Sequence, residues 1–275
     1  MSIFSTGSVR ICPDHRESRR LPVAWWLLTS RRWTTPLPIN VYVIEHERGL
    51  VLFDTGQDRR SVTDPDYFPR GVFGLLFARL ATFAIPAEET LTAGLSRLGY
   101  NIADVRVAVL SHLHQDHIGG LPELLGAEIV VSTVEWQQLS KPFPELNGLM
   151  AGHIDLPGLR WNHVDPVPMD GLAPFSTAHD LFGDGSLILL PTPGHTPGSL
   201  SLLLRQVGLP TMLFVGDLTY DVDLLSRGRV PGIGDRRGLE RSSRMVERLR
   251  DTYPDLVVLA AHDPGAATAL ARAVG

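Results

Sequence analysis

The sequence predicts an α/β sandwich. Three observations carry that expectation. Short apolar runs rich in β-branched residues read as buried strands, helical patterns alternate with them, and some strands are joined as hairpins, which a purely parallel sheet would not contain. Runs 40–44 and 50–53 come first and read as a hairpin through Glu47-Arg48-Gly49. Segment 58–86 is the least regular part and reads as an insertion over one face. Its apolar stretch 71–85 is interrupted by Arg79 and is too short to span a bilayer. A helical pattern at 87–98 precedes the strand 105–110, then helix 121–125, strand 128–131 and helix 134–139. Strands 187–190, 200–204 and 211–215 follow, then helix 238–252, strand 256–260 and helix 266–273.

With 275 residues the chain is long enough for one large domain or two small ones. It shows no low-complexity tract, short repeat or obvious linker, so one domain over 1–275 is expected. Hydrophobic content of 44% with 20% charged residues fits a globular enzyme and excludes disorder, collagen-like repeats and coiled coil. A net charge of −5, with scattered arginines, offers no footprint for nucleic acid. The single cysteine, Cys12, permits no intramolecular disulfide and reads as a small apolar filler. Residues 1–13 hold no basic segment followed by an apolar one, so a cytoplasmic protein without membrane attachment is expected.

The polar clusters sit directly after apolar strands. Val107-Ala-Val-Leu110 runs into Ser111-His-Leu-His-Gln-Asp-His117, and Leu187-Ile-Leu-Leu190 into Pro191-Thr-Pro-Gly-His-Thr-Pro197. Thr211-Met-Leu-Phe-Val215 runs into Gly216-Asp-Leu-Thr-Tyr220, and Leu256-Val-Val-Leu-Ala260 into Ala261-His-Asp263. Loops that leave strand ends together are where a rigid scaffold places catalytic groups. Within 112–117 stand His112, His114, Asp116 and His117. A turn after the strand aims His112 and His114 the same way, while Asp116 and His117 begin the next turn and reach a second ion a few Å away. That spacing favours two metals. Gly119 and Gly120 allow close packing beside them. Five of the ten histidines fall in these loops; His15, His46, His153, His163 and His179 lack that context and read as surface or core.

Taken together, HLHQDH, PTPGHTPGS around His195, Gly216-Asp217 and Ala261-His262-Asp263 resemble the metallo-β-lactamase superfamily over about residues 40–263. The resemblance implies a four-layered αβ/βα sandwich with two divalent ions at one edge of its sheets. It implies His112, His114 and His195 on one ion, Asp116, His117 and His262 on the other, and Asp217 bridging. Nitrogen and oxygen donors suit zinc, with iron, manganese or cobalt as alternatives. Asp54, in Leu52-Phe-Asp-Thr-Gly56, matches a family position near the site and is expected to orient a ligand histidine. A single Asp-Thr-Gly does not make the carboxylate dyad of an aspartic protease.

Two such ions lower the pKa of a shared water from about 16 towards 7, which gives a hydroxide nucleophile. Asp217, Asp116 and Tyr220 are the expected catalytic residues. His262-Asp263, and Tyr220 three residues after Asp217, resemble N-acyl homoserine lactonases, whose tyrosine at that offset bonds the substrate carbonyl. An acylated lactone is therefore the expected substrate and quorum quenching the expected role. Alternatives on the same fold are a phosphotriesterase or phosphodiesterase, a thioesterase of the glyoxalase II type, a persulfide dioxygenase with one iron, and metal binding without turnover. Phe68, Val72, Phe73, Leu75, Leu76, Phe77, Leu80 and Phe83 would line an acyl-chain channel, or else form core or the face of a homodimer, and Trp25, Trp26 and Trp33 pose the same choice.

Overall fold

A computed structural model describes residues 1–275. The first sheet contains β1 (Ser2–Ile11), β2 (Leu37–His46), β3 (Gly49–Phe53), β4 (Ala81–Ala84), β5 (Val105–Val109), β6 (Glu128–Ser132) and β7 (Arg160–Val164). Their order is β4-β1-β2-β3-β5-β6-β7. The second sheet contains β8 (Val167–Pro168), β9 (Thr177–Asp180), β10 (Leu187–Pro191), β11 (Leu200–Leu204), β12 (Met212–Phe214) and β13 (Val257–Leu259), in the order β13-β12-β11-β10-β9-β8.

The two-residue period of a strand divides each sequence between two cores. In β2, Tyr42 and Ile44 face the second sheet, while Val41 and Val43 face the helix Leu91–Arg97, which supplies Leu91 and Leu95. In β10, Leu187 and Leu189 face the first sheet, and Ile188 and Leu190 meet Leu239, Val246 and Leu249 of the helix Arg236–Leu249. The layers are therefore helix, sheet, sheet, helix, the four-layered αβ/βα sandwich. Between the sheets, the ring of Phe214 lies 4.8 Å from Tyr42 and 5.8 Å from Phe53. Tyr42 also donates its O–H to Ala260 O at 2.7 Å, so this core is tied to the chain just before His262.

The expected strands and their hairpin are present; β2 pairs with β3 from His46↔Gly49 to Tyr42↔Phe53. The sequence reading omitted β1, β4, β7, β8 and β9. β1 carries Ser2, Ser5, Thr6, Gly7 and Ser8, which read as turn residues, and its register shifts between Ser5 and Ser8. β7 is Arg-Trp-Asn-His-Val and β9 Thr-Ala-His-Asp, too polar to stand out as apolar runs. Within 58–86, expected to be irregular, Val72–Leu80 is a helix and β4 extends the first sheet along β1. The helix expected from 87 starts only at Leu91, where the Thr90 side chain accepts the Ala93 N–H. No helix is long and apolar enough to cross a membrane.

Candidate metal centre

Four loops bring the seven predicted ligands together. After β5 the chain stays extended, so Leu113 turns into the helix-side core while His112 and His114 face the centre. The turn Gln115–Ile118 then adds Asp116 and His117, with Ile118 anchored in the same core. His195 follows β10, Asp217 follows β12 at Gly216 (φ +53°), and His262 follows β13. A Cβ on Gly216 would lie 2.6 Å from Ser111 Cβ, so glycine is needed for these two loops to meet. Three groups have donor atoms within 4.8 Å of one another: His112, His114 and His195; His112, His117 and Asp217; and Asp116, His117 and His262.

Four of the histidines have one ring nitrogen engaged as a donor, which leaves the other nitrogen's lone pair for the centre. His117 Nδ1 donates to Asp54 Oδ2 at 2.8 Å and His262 Nδ1 to Pro38 O at 2.8 Å. His112 Nδ1 donates to Ser111 Oγ at 2.9 Å and His114 Nε2 to Asn147 O at 2.9 Å. Facing inward, His112 Nε2, His117 Nε2, His262 Nε2 and Asp217 Oδ1 are buried without a hydrogen-bond partner. The spacing is that of ligand atoms. Asp217 Oδ1 lies 3.3 Å from both His117 Nε2 and His262 Nε2, its Oδ2 lies 3.5 Å from His195 Nε2, and Asp116 Oδ2 lies 3.4 Å from His262 Nε2. Two atoms bound tetrahedrally to one zinc ion stand about 3.3 Å apart, longer than a good hydrogen bond. Buried polar atoms left unpaired at that spacing fit cations.

The electrostatics point the same way. Burial disfavours charge on His117, but Asp54, Asp217 and Asp116 outweigh it and raise its pKa well above the ordinary value. His262 is likewise raised, against burial, chiefly by Asp217. Burial would raise Asp217, yet His262 and His117 beside it hold its carboxyl well below the usual range. A cluster that holds protons so tightly also attracts metal ions, which displace those protons on binding. His112 and His195, where burial dominates, are pushed well down and offer neutral imidazoles.

Asp54 stands beneath His117, one of the predicted ligand histidines. It also accepts from Ser111 N (2.7 Å) and Ser111 Oγ (2.9 Å). The Asp-Thr-Gly turn grips the ligand turn through Thr55 N–H and Thr55 Oγ1, which donate to His117 O at 2.8 and 2.9 Å. Gly119 allows that approach, because a Cβ there would lie 2.0 Å from Asp58 N. Tyr220, also buried, donates to Asp217 Oδ2 at 2.8 Å.

Two residues escaped the sequence reading. His15, grouped there with surface or core histidines, is buried against Tyr220, its Nε2 3.1 Å from Tyr220 Oη. Glu135, fully buried, accepts from Leu113 N and Gly198 N at 3.1 Å each, joining the loops of His114 and His195. Ser132-x-x-Glu135 was the available signal, since it has the form of a helix-capping box. His46, His153, His163 and His179 lie outside the cluster. Of the apolar residues left undecided, Phe77 packs with Tyr67, Met150 and Phe68, while Val72 and Leu75 are 71% and 70% exposed. Trp26 is buried beside Cys12 and Leu27, whereas Trp25 and Trp33 are exposed.

Residues 34–262 match the Metallo-beta-lactamase superfamily, and the chain belongs to that family; it is a metal-dependent hydrolase. It is 29% identical over 234 residues to the N-acyl homoserine lactonase AttM of Rhizobium radiobacter, which covers 84% of this chain and 83% of the relative. It is 31% identical over 264 residues to a probable metallo-hydrolase of Mycobacterium tuberculosis, covering 86% of this chain and 78% of the other. Among solved structures it is similar to a mutant AiiA of B. thuringiensis with N-decanoyl-L-homoserine bound at the active site. There the TM-score is 0.76 at 21% identity, over 96% of this chain and 92% of that one. It is also similar to AidC, a dizinc quorum-quenching lactonase, with a TM-score of 0.62 at 19% identity over 95% and 86% of the two chains. At these identities the structural likeness establishes the fold.

Proposed function

We propose that the protein is a dinuclear metal-dependent lactonase that opens the ring of N-acyl homoserine lactones. The observation that carries this reading is the placement of Asp217. Its Oδ1 faces His117 and His262, its Oδ2 faces His195, and the Tyr220 phenol donates to that same Oδ2. The relatives named as lactonases support the substrate class. In this reading His112, His114 and His195 would hold one divalent ion, Asp116, His117 and His262 would hold the other, and Asp217 would serve both. Zinc suits the donors; iron, manganese and cobalt are the alternatives.

Bound there, the two ions supply a Lewis acid for the lactone carbonyl and a water whose pKa falls towards about 7. Tyr220 turns its O–H from Asp217 to the carbonyl oxygen and stabilises the negative charge that develops there. As a water oxygen bonds to the carbonyl carbon, Asp217 would take the proton that this water loses and pass it to the ring oxygen while the acyl–oxygen bond breaks. Asp116 is the more exposed of the two carboxylates, 17% against 4%, and so faces the side from which substrate would enter. A Cβ on Gly148, two residues before Met150, would be 2.8 Å from the His114 ring, so the apolar cluster of Tyr67, Phe77 and Met150 adjoins the centre and would meet the acyl chain of a bound substrate.

Proton release on adding short- and long-chain N-acyl homoserine lactones to metal-loaded enzyme tests the reading, with Asp217→Asn as the blank. We expect ring opening by the wild type, none by Asp217→Asn or His114→Ala in folded protein, and kcat lowered roughly 10- to 100-fold in Tyr220→Phe, the worth of a hydrogen bond to a developing charge. Full activity in Tyr220→Phe, together with phosphotriester turnover, would move the reading to a phosphotriesterase. One iron per chain would move it to a persulfide dioxygenase.

A further inference from the structure

The strand-end loops do not enclose Tyr220 by themselves; the N-terminal segment completes its surroundings. His15 lies in the turn Pro13–Arg16, and its ring meets Tyr220 edge-on at 5.4 Å and stacks on Trp26 at 6.0 Å. The segment is held at several points. Gly232 N–H donates to His15 O at 2.8 Å, Ser18 N–H donates to Val230 O at 2.9 Å, and Arg16 pairs with Asp221, the residue after Tyr220. A Cβ on Gly232 would lie 1.9 Å from Asp14 O, so the two stretches of chain are in direct contact.

Proton counting assigns the roles. A phenol has one proton and two lone pairs. Tyr220 gives its proton to Asp217 Oδ2 at 2.8 Å, so at the 3.1 Å contact with His15 Nε2 its oxygen can only accept. Nε2 must then carry a hydrogen. His15 Nδ1 is buried with no partner, so a second N–H placed there would be unpaired at a cost of about 1–3 kcal/mol. Burial agrees, pushing the pKa of His15 down to about 4.

We infer that His15 is a positioning residue for Tyr220: a neutral imidazole whose Nε2–H donates to the phenol oxygen and holds that oxygen in place while its O–H turns from Asp217 to the substrate. This rests on the lactonase reading, in which that O–H reaches the substrate carbonyl. Donation into the phenol oxygen also stabilises the charge this oxygen gains as its proton moves towards the substrate. A histidine that merely fills the core would act on stability alone.

A double-mutant cycle on metal-loaded enzyme separates the two roles. His15→Phe is expected to lower kcat about five-fold with KM little changed, the worth of one neutral hydrogen bond. His15→Gln, whose amide N–H reaches the place of Nε2, is expected to restore most of that loss. In the Tyr220→Phe background His15→Phe is expected to change kcat by less than about two-fold. Equal losses in both backgrounds, or no rescue by His15→Gln, would overturn the assignment. If Tyr220→Phe is itself fully active, the lactonase reading fails instead, and histidine-selective nitrogen NMR still decides the contact. The Nε2–H tautomer at neutral pH, with its resonance displaced in Tyr220→Phe, is expected; a Nδ1–H tautomer would overturn the inference.

Discussion

Asp54 adopts φ +60°, a left-handed conformation that costs a non-glycine residue of order 1–3 kcal/mol. That strain aims its carboxylate at three donors, Ser111 N, Ser111 Oγ and His117 Nδ1. Asparagine tolerates the same backbone and keeps one acceptor, but it carries no charge opposite the imidazole. Asp54→Asn should therefore fold and lose metal affinity by about 10- to 100-fold, as measured by competition with a chromogenic chelator. Affinity equal to wild type would remove the orienting role. This position could be read from the sequence because Asp-Thr-Gly matches a position that the family uses near its site. His15 could not, because it stands 205 residues from Tyr220 and belongs to no motif. Its burial has a consequence for stability. The folded-state pKa of about 4 lies below the ordinary 6.5, so the unfolded chain binds the proton more readily. Stability is full above pH 6.5 and declines as pH falls from there towards 4. His15→Phe removes that contribution, so its Tm should fall less steeply than that of wild type over the same window; parallel profiles would mean that His15 titrates freely.

Ser132 ends β6 and caps the helix that follows, accepting the Glu135 N–H at 3.0 Å. In an ordinary capping box the glutamate returns to the first residue's backbone. Here the Glu135 carboxylate turns instead to Leu113 N–H and Gly198 N–H, while Ser132 Oγ donates to Gly198 O at 2.7 Å. A strand-to-helix junction thereby fixes the distance between the loop of His112 and His114 and the loop of His195. The local pattern shows the helix start, but its long-range use depends on strand order, which no local pattern contains. The same limit explains the strands. β10 stands out because its own residues are apolar throughout, whereas β1 is legible only once β2 and β4 are known to pair with it on either side. Removing Glu135 leaves two buried N–H groups unpaired, each worth about 1–3 kcal/mol. Glu135→Ala should thus lose about 2–6 kcal/mol of stability in urea denaturation, with its metal affinity reduced as well. A loss within 0.5 kcal/mol of zero, the usual range for a surface change, would show that the loops hold their spacing unaided.

The donors come from both halves of the sandwich. His112, His114, Asp116 and His117 follow β5 of the first sheet, and His195, Asp217 and His262 follow β10, β12 and β13 of the second. The layer order was legible only through the family resemblance, whereas the clustering of the candidate donors was legible directly, because histidines at strand ends are a local signal. How closely the sheets approach is set by contacts such as Tyr42 on Phe214, which only the fold supplies. In the dinuclear reading, ions held across the two sheets would stabilise the folded chain over the unfolded one, which has no assembled site. With free metal about 1,000-fold above Kd the contribution is roughly 4 kcal/mol. At about 2–4 °C per kcal/mol for a chain of this general size, chelation should lower Tm by about 10 °C. His262→Ala, which removes a donor from the second sheet alone, should lose much of that metal-dependent increment. Tyr220→Phe removes no donor and should keep it in full. Differential scanning calorimetry with and without chelator reads all three, and a Tm indifferent to metal in the wild type would mean that the centre does not join the sheets energetically.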